Sequence, residues 1–228
     1  MRRLLIIVHA VAFLALISAA QAAEEEGFQS MFNGKDLTGW EGKPGGWWVE
    51  DGTITSQSTE ENPCVKHHYL YWTRGEPADF VLRLKYKIVG GNSGVQFRSE
   101  RRPQYDTWGY QADLEAGPQW TGCLFQHSRG GVVMRGKRAV ISEDGTRREE
   151  DFATAAELQK VVKPNNWNEY EVVAKGSKVA LRINGELMCE VDDRDAKLAC
   201  RKGILALQMH PGPPMKVQFK DLRIKVLD

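Results

Sequence analysis

The chain has 228 residues, and 31 Lys and Arg residues balance 30 Asp and Glu residues, which gives a formal net charge of +1. A nearly neutral chain lacks the basic surface that nucleic-acid binding requires, so no nucleic-acid partner is expected. The length is sufficient for one domain with a sizeable hydrophobic core.

The first 22 residues are typical of a secretory signal peptide. Arg2 and Arg3 precede an apolar run over residues 4–17, and small residues continue to Ala23. The run is too short for a membrane span, so we expect cleavage after Ala22 or Ala23 and no membrane span in the processed protein. The prediction is an exported protein, periplasmic or extracellular, in which residues 23–228 form a single domain.

Short extended segments separated by turn signals follow the signal peptide. Strands are predicted over residues 47–50, 53–55, 69–72, 80–89, 92–98, 109–115, 121–127, 132–141, 167–174, 179–183, 187–191, 203–210 and 215–226. Asp51-Gly52 and Asn184-Gly185 are hairpin turn signals. Residues 154–162 form the one segment with a helical pattern. Many short strands with almost no helix predict an all-β sandwich or barrel.

Four cysteines remain after the signal peptide: Cys64, Cys123, Cys189 and Cys200. Export permits disulfide bonds, and four cysteines allow three pairings. Cys189 and Cys200 flank a polar loop and are the first pairing to test, with free thiols as the alternative.

Two predicted strands carry polar residues at alternating positions. Side chains along a strand point to opposite faces in turn, so Gln96 and Arg98 should share one face of the first strand. Gln111, Asp113 and Glu115 should likewise share a face of the second. Amides, carboxylates and a guanidinium on one face suit a polyhydroxylated ligand. The alternative is a sheet with an ordinary solvated face.

An ordered set of motifs resembles the 3-keto-disaccharide hydrolase family, also described as 3-keto-glucoside 1,2-lyase/3-keto-2-hydroxy-glucal hydratase domains. The resemblance covers nearly all of residues 23–228. The motifs are Phe32-Asn33-Gly34-Lys35-Asp36-Leu37-Thr38-Gly39-Trp40, Trp48-x-x-Asp51-Gly52, Asp79-Phe80, Asn92-Ser93-Gly94-Val95-Gln96-Phe97-Arg98, Gly109-Tyr110-Gln111-Ala112-Asp113, Asn166-x-Asn168 and Phe219-x-x-Leu222. Many members follow the last aspartate with Ile-Gly, where this chain has Leu114-Glu115.

The resemblance implies a concanavalin A-like jelly-roll sandwich of two antiparallel sheets, to which the helical pattern adds one short helix. It also implies an activity on glycosides whose sugar is oxidised at C3. The ketone acidifies the C2 hydrogen, so a base can form an enolate that expels the anomeric oxygen by β-elimination. Either the glycal is the final product, or water adds to it afterwards and the net reaction is hydrolysis.

This chemistry needs a base, an acid and a group that stabilises the enolate oxygen. His127 and Asp113 are the candidate base and acid, and Arg98 suits the enolate oxygen because it is permanently cationic. The alternatives are an Arg98–Asp113 pair across the sheet and a structural His127 at a strand end.

Further residues are candidates for substrate or metal binding. The substrate-binding candidates are Asn92, Gln96, Gln111, Gln208 and His210, with Trp108 and Trp120 as platforms for a sugar ring. No cofactor is certain; a divalent metal is possible, with Asp113, Glu115, His127 and His210 as conceivable ligands. His67 and His68 are adjacent, so they should point in opposite directions as surface or rim residues.

Two other functions compete with this interpretation. A retaining glycosidase needs paired carboxylates at close spacing, and Asp113-x-Glu115 is only a fragment of such a motif. A non-catalytic carbohydrate-binding module is the stronger alternative, since the same polar face and tryptophans would bind a glycan without turnover. No sequence feature indicates the oligomeric state.

Overall fold

In a computed structural model of the chain, residues 26–227 are described, and the predicted signal peptide lies outside them. These residues contain 17 strands and one short helix, which confirms the all-β prediction. No helix among them is both long and apolar enough to cross a membrane.

The strands form two sheets. The ten-stranded sheet has the order β12-β11-β15-β14-β13-β6-β17-β4-β3, and β1 also pairs with β17. Its strands are β1 (Gln29–Ser30), β3 (Trp48–Glu50), β4 (Thr53–Ser58), β6 (Phe80–Val89), β11 (Lys137–Ile141), β12 (Arg147–Asp151), β13 (Asn168–Lys175), β14 (Lys178–Ile183), β15 (Glu186–Asp193) and β17 (Met215–Val226).

The seven-stranded sheet has the order β10-β9-β8-β7-β16-β5-β2. Its strands are β2 (Trp40–Gly42), β5 (His68–Trp72), β7 (Asn92–Arg102), β8 (Asp106–Glu115), β9 (Leu124–Gln126), β10 (Gly130–Val133) and β16 (Ile204–Met209). The pairings are antiparallel, as predicted, apart from a parallel pairing of β11 with β15.

The core lies between the two sheets and follows from the alternation in the sequence. In β6, alternate residues from Phe80 to Ile88 are buried, while the residues between them are half-buried on the outer face. Phe80 meets Phe97 of β7 with ring centroids 6.0 Å apart, so aromatic rings join the two sheets. The opposite face of each sheet is therefore free to carry polar side chains.

Local signals placed the turns and the helix correctly. Asp51-Gly52 and Asn184-Gly185 each have positive φ at both residues, the conformation that their sequences favour. The helix α1 (Ala155–Gln159) begins at Thr154, whose hydroxyl accepts from the Glu157 amide while the Glu157 carboxylate accepts from the Thr154 amide.

Of the two alternatives that the sequence left open, the structure shows free thiols: Cys189 and Cys200 form no disulfide, and neither do Cys64 and Cys123. Cys189 is fully buried within β15, whereas Cys200 is half-buried and accepts a hydrogen bond from the Gln126 amide at 3.1 Å. The polar loop between the two cysteines therefore does not bring them together.

Candidate functional site

A cleft of about 460 Å³ opens on the outer face of the seven-stranded sheet. Its volume falls within the range of small-molecule sites. Alternation along β7, β8 and β16 places the predicted polar side chains there. The lining residues are His67, Asn92, Gln111, Asp113, Glu115, Trp120, Phe125, His127, Gln208 and His210. The structure thus brings together eight of the residues that the sequence indicated.

Gln111 is the centre of a hydrogen-bond network on the floor of the cleft. Its amide nitrogen donates to Oδ1 of Asp113 at 2.6 Å and to Oε1 of Gln208 at 3.2 Å. Its amide oxygen accepts from Nε2 of Gln96 at 2.8 Å, and the Ser99 hydroxyl donates to the oxygen of Gln96. Three strands therefore fix the orientation of the Gln111 amide beside the Asp113 carboxyl.

Gly94 makes this network possible. It lies on β7 opposite Asp113, and β7 runs between β8 and β16. The Gln111 side chain crosses the space above Gly94, and a Cβ at that position would lie 2.6 Å from Nε2 of Gln111. A side chain there would displace the amide from Asp113 and Gln208.

Asp113 is a buried carboxyl group in a polar cleft. Asp113 is only 3% exposed, and burial raises the pKa of its carboxyl group from 3.8 to about 8. The hydrogen bond from Gln111 opposes this rise, and the charge of Glu115 adds to it. At neutral pH most Asp113 side chains therefore carry a proton. Such a group can donate a proton to an oxygen atom.

His127 lies in the turn between β9 and β10, on the opposite side of the cleft floor from β16. Burial lowers the pKa of His127 below 6.5, although the Gly109 backbone and the Asp106 carboxylate oppose this fall. Its Nε2 lies 3.5 Å from the Tyr69 hydroxyl, which in turn accepts from the Gln208 amide at 2.8 Å. The imidazole is neutral at pH 7 and can accept a proton.

Arg129 links the turn that carries His127 to the ten-stranded sheet. The Arg129 guanidinium lies 2.5 Å from Oδ2 of Asp193 in β15, and the Asp193 side chain has no solvent exposure. Tyr110 also donates its hydroxyl to Asp193. The sequence analysis did not identify Arg129, because nothing in its local pattern indicates a partner 64 residues away.

Two aromatic rings form one wall of the cleft. Trp120 and Phe125 are both half-buried, and their ring centroids are 6.1 Å apart at 89°. Glu115 holds the loop that carries Trp120, because its carboxylate accepts from the amides of Gln119 and Trp120, the latter at 2.7 Å. An aromatic wall suits the C–H face of a pyranose ring.

His67 lies on the rim of the cleft, as predicted for one of the two adjacent histidines. Its Nε2 is 2.8 Å from Oδ1 of Asp106, and its ring centroid is 6.4 Å from that of His127. His68 points the other way but is buried, with its Nδ1 3.2 Å from the Trp47 indole nitrogen. The prediction of a surface or rim position is therefore wrong for His68.

Arg98 does not face the cleft, and the prediction that it does is wrong. The pairing of β7 with β8 shifts between Phe97 and Glu100, and Arg98 has a φ of 47°. This bulge turns the guanidinium away from the polar face. Arg98 instead donates to the carbonyls of Ala78 and Gly176 at 2.7 and 2.8 Å and to the Asp79 carboxylate at 2.9 Å.

Two other predicted substrate contacts have different positions. Gln96 is fully buried beneath Gln111, so it supports the network without lining the cleft. Trp108 is 38% exposed but lines a neighbouring groove, where the Arg102 guanidinium lies 4.0 Å from its ring centroid. The bulge adds one residue to β7 only, so the alternation of β8 continues and places Trp108 on the same face as Tyr110, opposite to Gln111.

The predicted metal ligands do not form a metal site. Among residues 26–227, no three His, Cys, Asp or Glu side chains are grouped so that they could hold a metal ion. One oxygen of Glu115 already accepts from two amides, and Nδ1 of His210 lies 2.6 Å from the Pro211 carbonyl oxygen. The arrangement therefore does not suit one metal ion shared by Asp113, Glu115, His127 and His210.

Comparisons with known proteins agree with this architecture. The family described as 3-keto-alpha-glucoside-1,2-lyase-like domain matches residues 27–225. No curated protein matches the chain. Among solved structures, a protein from Parabacteroides distasonis ATCC 8503, provisionally described as a glycosyl hydrolase, has a TM-score of 0.58 at 24% identity. The match covers 89% of this chain and 95% of that one.

A second similar structure is the carbohydrate-binding module CBM66 from Bacillus subtilis. It has a TM-score of 0.52 at 14% identity, with 83% of this chain and 97% of that chain covered. A Bacillus subtilis protein with a galectin-like fold has a TM-score of 0.52 at 10% identity, with 83% and 90% covered. At these identities the likenesses concern the fold, which is the predicted jelly roll.

Proposed function

Because the chain belongs to the 3-keto-alpha-glucoside-1,2-lyase-like family, we propose that it cleaves glycosides of sugars oxidised at C3. Membership of this family supports a carbohydrate-related function. The proposed reaction is removal of the C2 proton followed by β-elimination of the anomeric substituent, with or without hydration of the resulting glycal.

The observation that carries this proposal is the order of two pKa values in one cleft. Burial raises the pKa of Asp113 to about 8 and lowers that of His127 below 6.5. Between these values, the dominant state of the cleft has a protonated carboxyl and a neutral imidazole. The opposite assignment needs an ionised Asp113 together with a protonated His127, which is a minor state at every pH.

This order supports His127 as the base and Asp113 as the acid. The imidazole takes the proton from C2, and the electron pair moves to the C3 oxygen as an enolate. The enolate then restores the C3 carbonyl as the C1–O bond breaks, and the leaving oxygen takes the proton of Asp113. The product is a 2-hydroxy-3-keto-glucal and the free leaving group. Addition of water across C1 and C2, with the C2 proton returned by His127, completes the hydrolysis.

Other groups in the cleft bind and orient the sugar in this proposal. Trp120 and Phe125 provide an apolar wall for the ring, and the amides of Asn92 and Gln208 offer hydrogen bonds to hydroxyl groups and the enolate oxygen. We further propose that the reaction takes place outside the cytoplasm, which rests on the signal peptide predicted for residues 1–22.

The test is release of the leaving group from a 3-keto-glucoside by the processed protein. His127→Asn and Asp113→Asn should each lower kcat by at least about 100-fold, as expected for loss of a general acid or base. Glu169→Gln, on the outer face of the other sheet, should leave kcat unchanged. Exchange of the C2 hydrogen in deuterated water should be lost in the His127 variant and retained in the Asp113 variant.

The pH profile gives an independent test. The rate should be highest between the pKa of His127, below 6.5, and that of Asp113, about 8, and it should fall on both sides. Binding of unoxidised glycans without turnover of any 3-keto-glucoside would contradict the proposal and favour a carbohydrate-binding module.

A further inference from the structure

A groove of about 660 Å³ adjoins the cleft across the turn that carries His127. Gln126 and Ser128 line the groove, while His127 between them lines the cleft. The groove extends along the end of β7, the start of β8 and the segment 197–204. None of its residues is used by the proposed reaction.

Trp108 provides an exposed aromatic surface in this groove. It is 38% exposed, although large aromatic side chains in a sandwich are normally buried in the core. The Arg102 guanidinium lies over the ring at 4.0 Å from the centroid, and Arg102 also pairs with Glu100 at 3.1 Å. The indole is therefore held in place while part of its surface stays open to a ligand.

The groove has more positive than negative side chains on its surface. Four exposed cations line it, Arg101, Lys197, Arg201 and Lys202, against the two carboxylates of Glu76 and Glu100. Within residues 26–227, Lys197 and Lys202 form no ion pair, whereas Arg101 pairs with Glu41 at 2.9 Å. By contrast, no Arg or Lys lines the adjacent cleft.

We propose that this groove is a second carbohydrate-binding site, specific for an oligosaccharide that contains a carboxylate-bearing sugar. A sugar ring would stack on Trp108, and its carboxylate would lie near the ammonium groups of Lys197 and Lys202. Stacking on an indole together with unpaired ammonium groups recognises an acidic sugar better than a neutral one.

The test is calorimetric titration of the protein with trigalacturonate, a trisaccharide of carboxylate-bearing sugars. Maltotriose serves as a neutral probe of equal length. Trp108→Ala should weaken trigalacturonate binding by about tenfold, which corresponds to about 1.4 kcal/mol. The double variant Lys197→Glu with Lys202→Glu should weaken it by a similar factor at low salt and less at high salt. Binding of maltotriose to the wild-type protein should be much weaker.

A matched control is the double variant Lys87→Glu with Lys220→Glu on the other sheet, where both ammonium groups flank Trp167 at 5.2 and 4.2 Å from its centroid. This control should leave trigalacturonate binding unchanged. An equal loss in the control, equal binding of a trinucleotide, or no effect of either groove variant would overturn the proposal. Because the measurement needs no turnover, its outcome does not depend on the proposed reaction.

Discussion

The Asp113→Asn substitution should change how the stability of the protein depends on pH. Folded Asp113 has a pKa of about 8, and its unperturbed value is 3.8. Between these values the folded protein keeps a proton that the unfolded chain releases. Rising pH therefore destabilises the wild-type protein by about 1.4 kcal/mol per pH unit, up to about 6 kcal/mol in total. Above pH 8 the loss is complete, and below pH 4 it is absent.

Asparagine cannot ionise, and its side-chain oxygen can still accept from Gln111. At pH 5 the variant should therefore exceed the wild-type protein in free energy of unfolding by only about 1–2 kcal/mol, and at pH 9 by about three times as much. Urea unfolding at pH 5, 7 and 9 measures this difference directly. Activity should be lost at all three pH values, since the proposed acid is missing.

The matched control for this measurement is Asp144→Asn. Asp144 is an exposed turn residue whose pKa is lowered by hydrogen bonds from Thr146. The ionised form of Asp144 stabilises the fold, so its removal acts in the direction opposite to that of Asp113→Asn. The Asp144→Asn control should lose stability relative to the wild-type protein as pH rises through the acidic range. A difference between wild type and the Asp113 variant that stays constant from pH 5 to pH 9 would refute the buried, protonated carboxyl.

Three further predictions concern the supports of the cleft and the thiols. Gly94→Ala places a Cβ against the Gln111 amide, so it should lower the free energy of unfolding in urea by roughly 1–3 kcal/mol and reduce activity. Wild-type stability together with wild-type activity would contradict the role of Gly94 in the Gln111 network. Arg129→Met leaves the buried Asp193 carboxylate without its cationic partner and should cost about 3–5 kcal/mol, part of which Asp193→Asn should restore in the double variant. An unchanged unfolding midpoint for the single variant would contradict this role. Thiol titration of the denatured, unreduced protein should detect four free cysteines, and fewer would show a disulfide.

The fold could be predicted from the sequence because its signals are local. The alternation from Phe80 to Ile88 requires one buried and one outer face, and the structure shows that pattern without interruption. The Asp51-Gly52 and Asn184-Gly185 turns need only the positive φ that these residues tolerate. The parallel pairing of β11 with β15 was not predictable, since it joins segments far apart in the sequence.

The cleft could be predicted only up to the bulge in β7. Strand alternation correctly placed Asn92, Gln111 and Asp113 on one face, but it assumed an unbroken strand through Arg98. One additional residue in a strand reverses the face of every side chain that follows. Arg98 thus joins Asp79 at the end of the sandwich, so two of the motifs that carried the resemblance form one structural ion pair.

The chemistry of the cleft depends on burial, which the residue types alone do not indicate. On a solvated face at pH 7, an aspartate would be ionised and a histidine would be largely neutral. Such a cleft would have no acid. The fold removes Asp113 from water while Gln111, held by Gln96, contributes one hydrogen bond to its carboxyl. Burial therefore makes Asp113 an acid while His127 remains a base. Gly94 is as necessary to this arrangement as the two titrating groups, because it leaves room for the Gln111 amide.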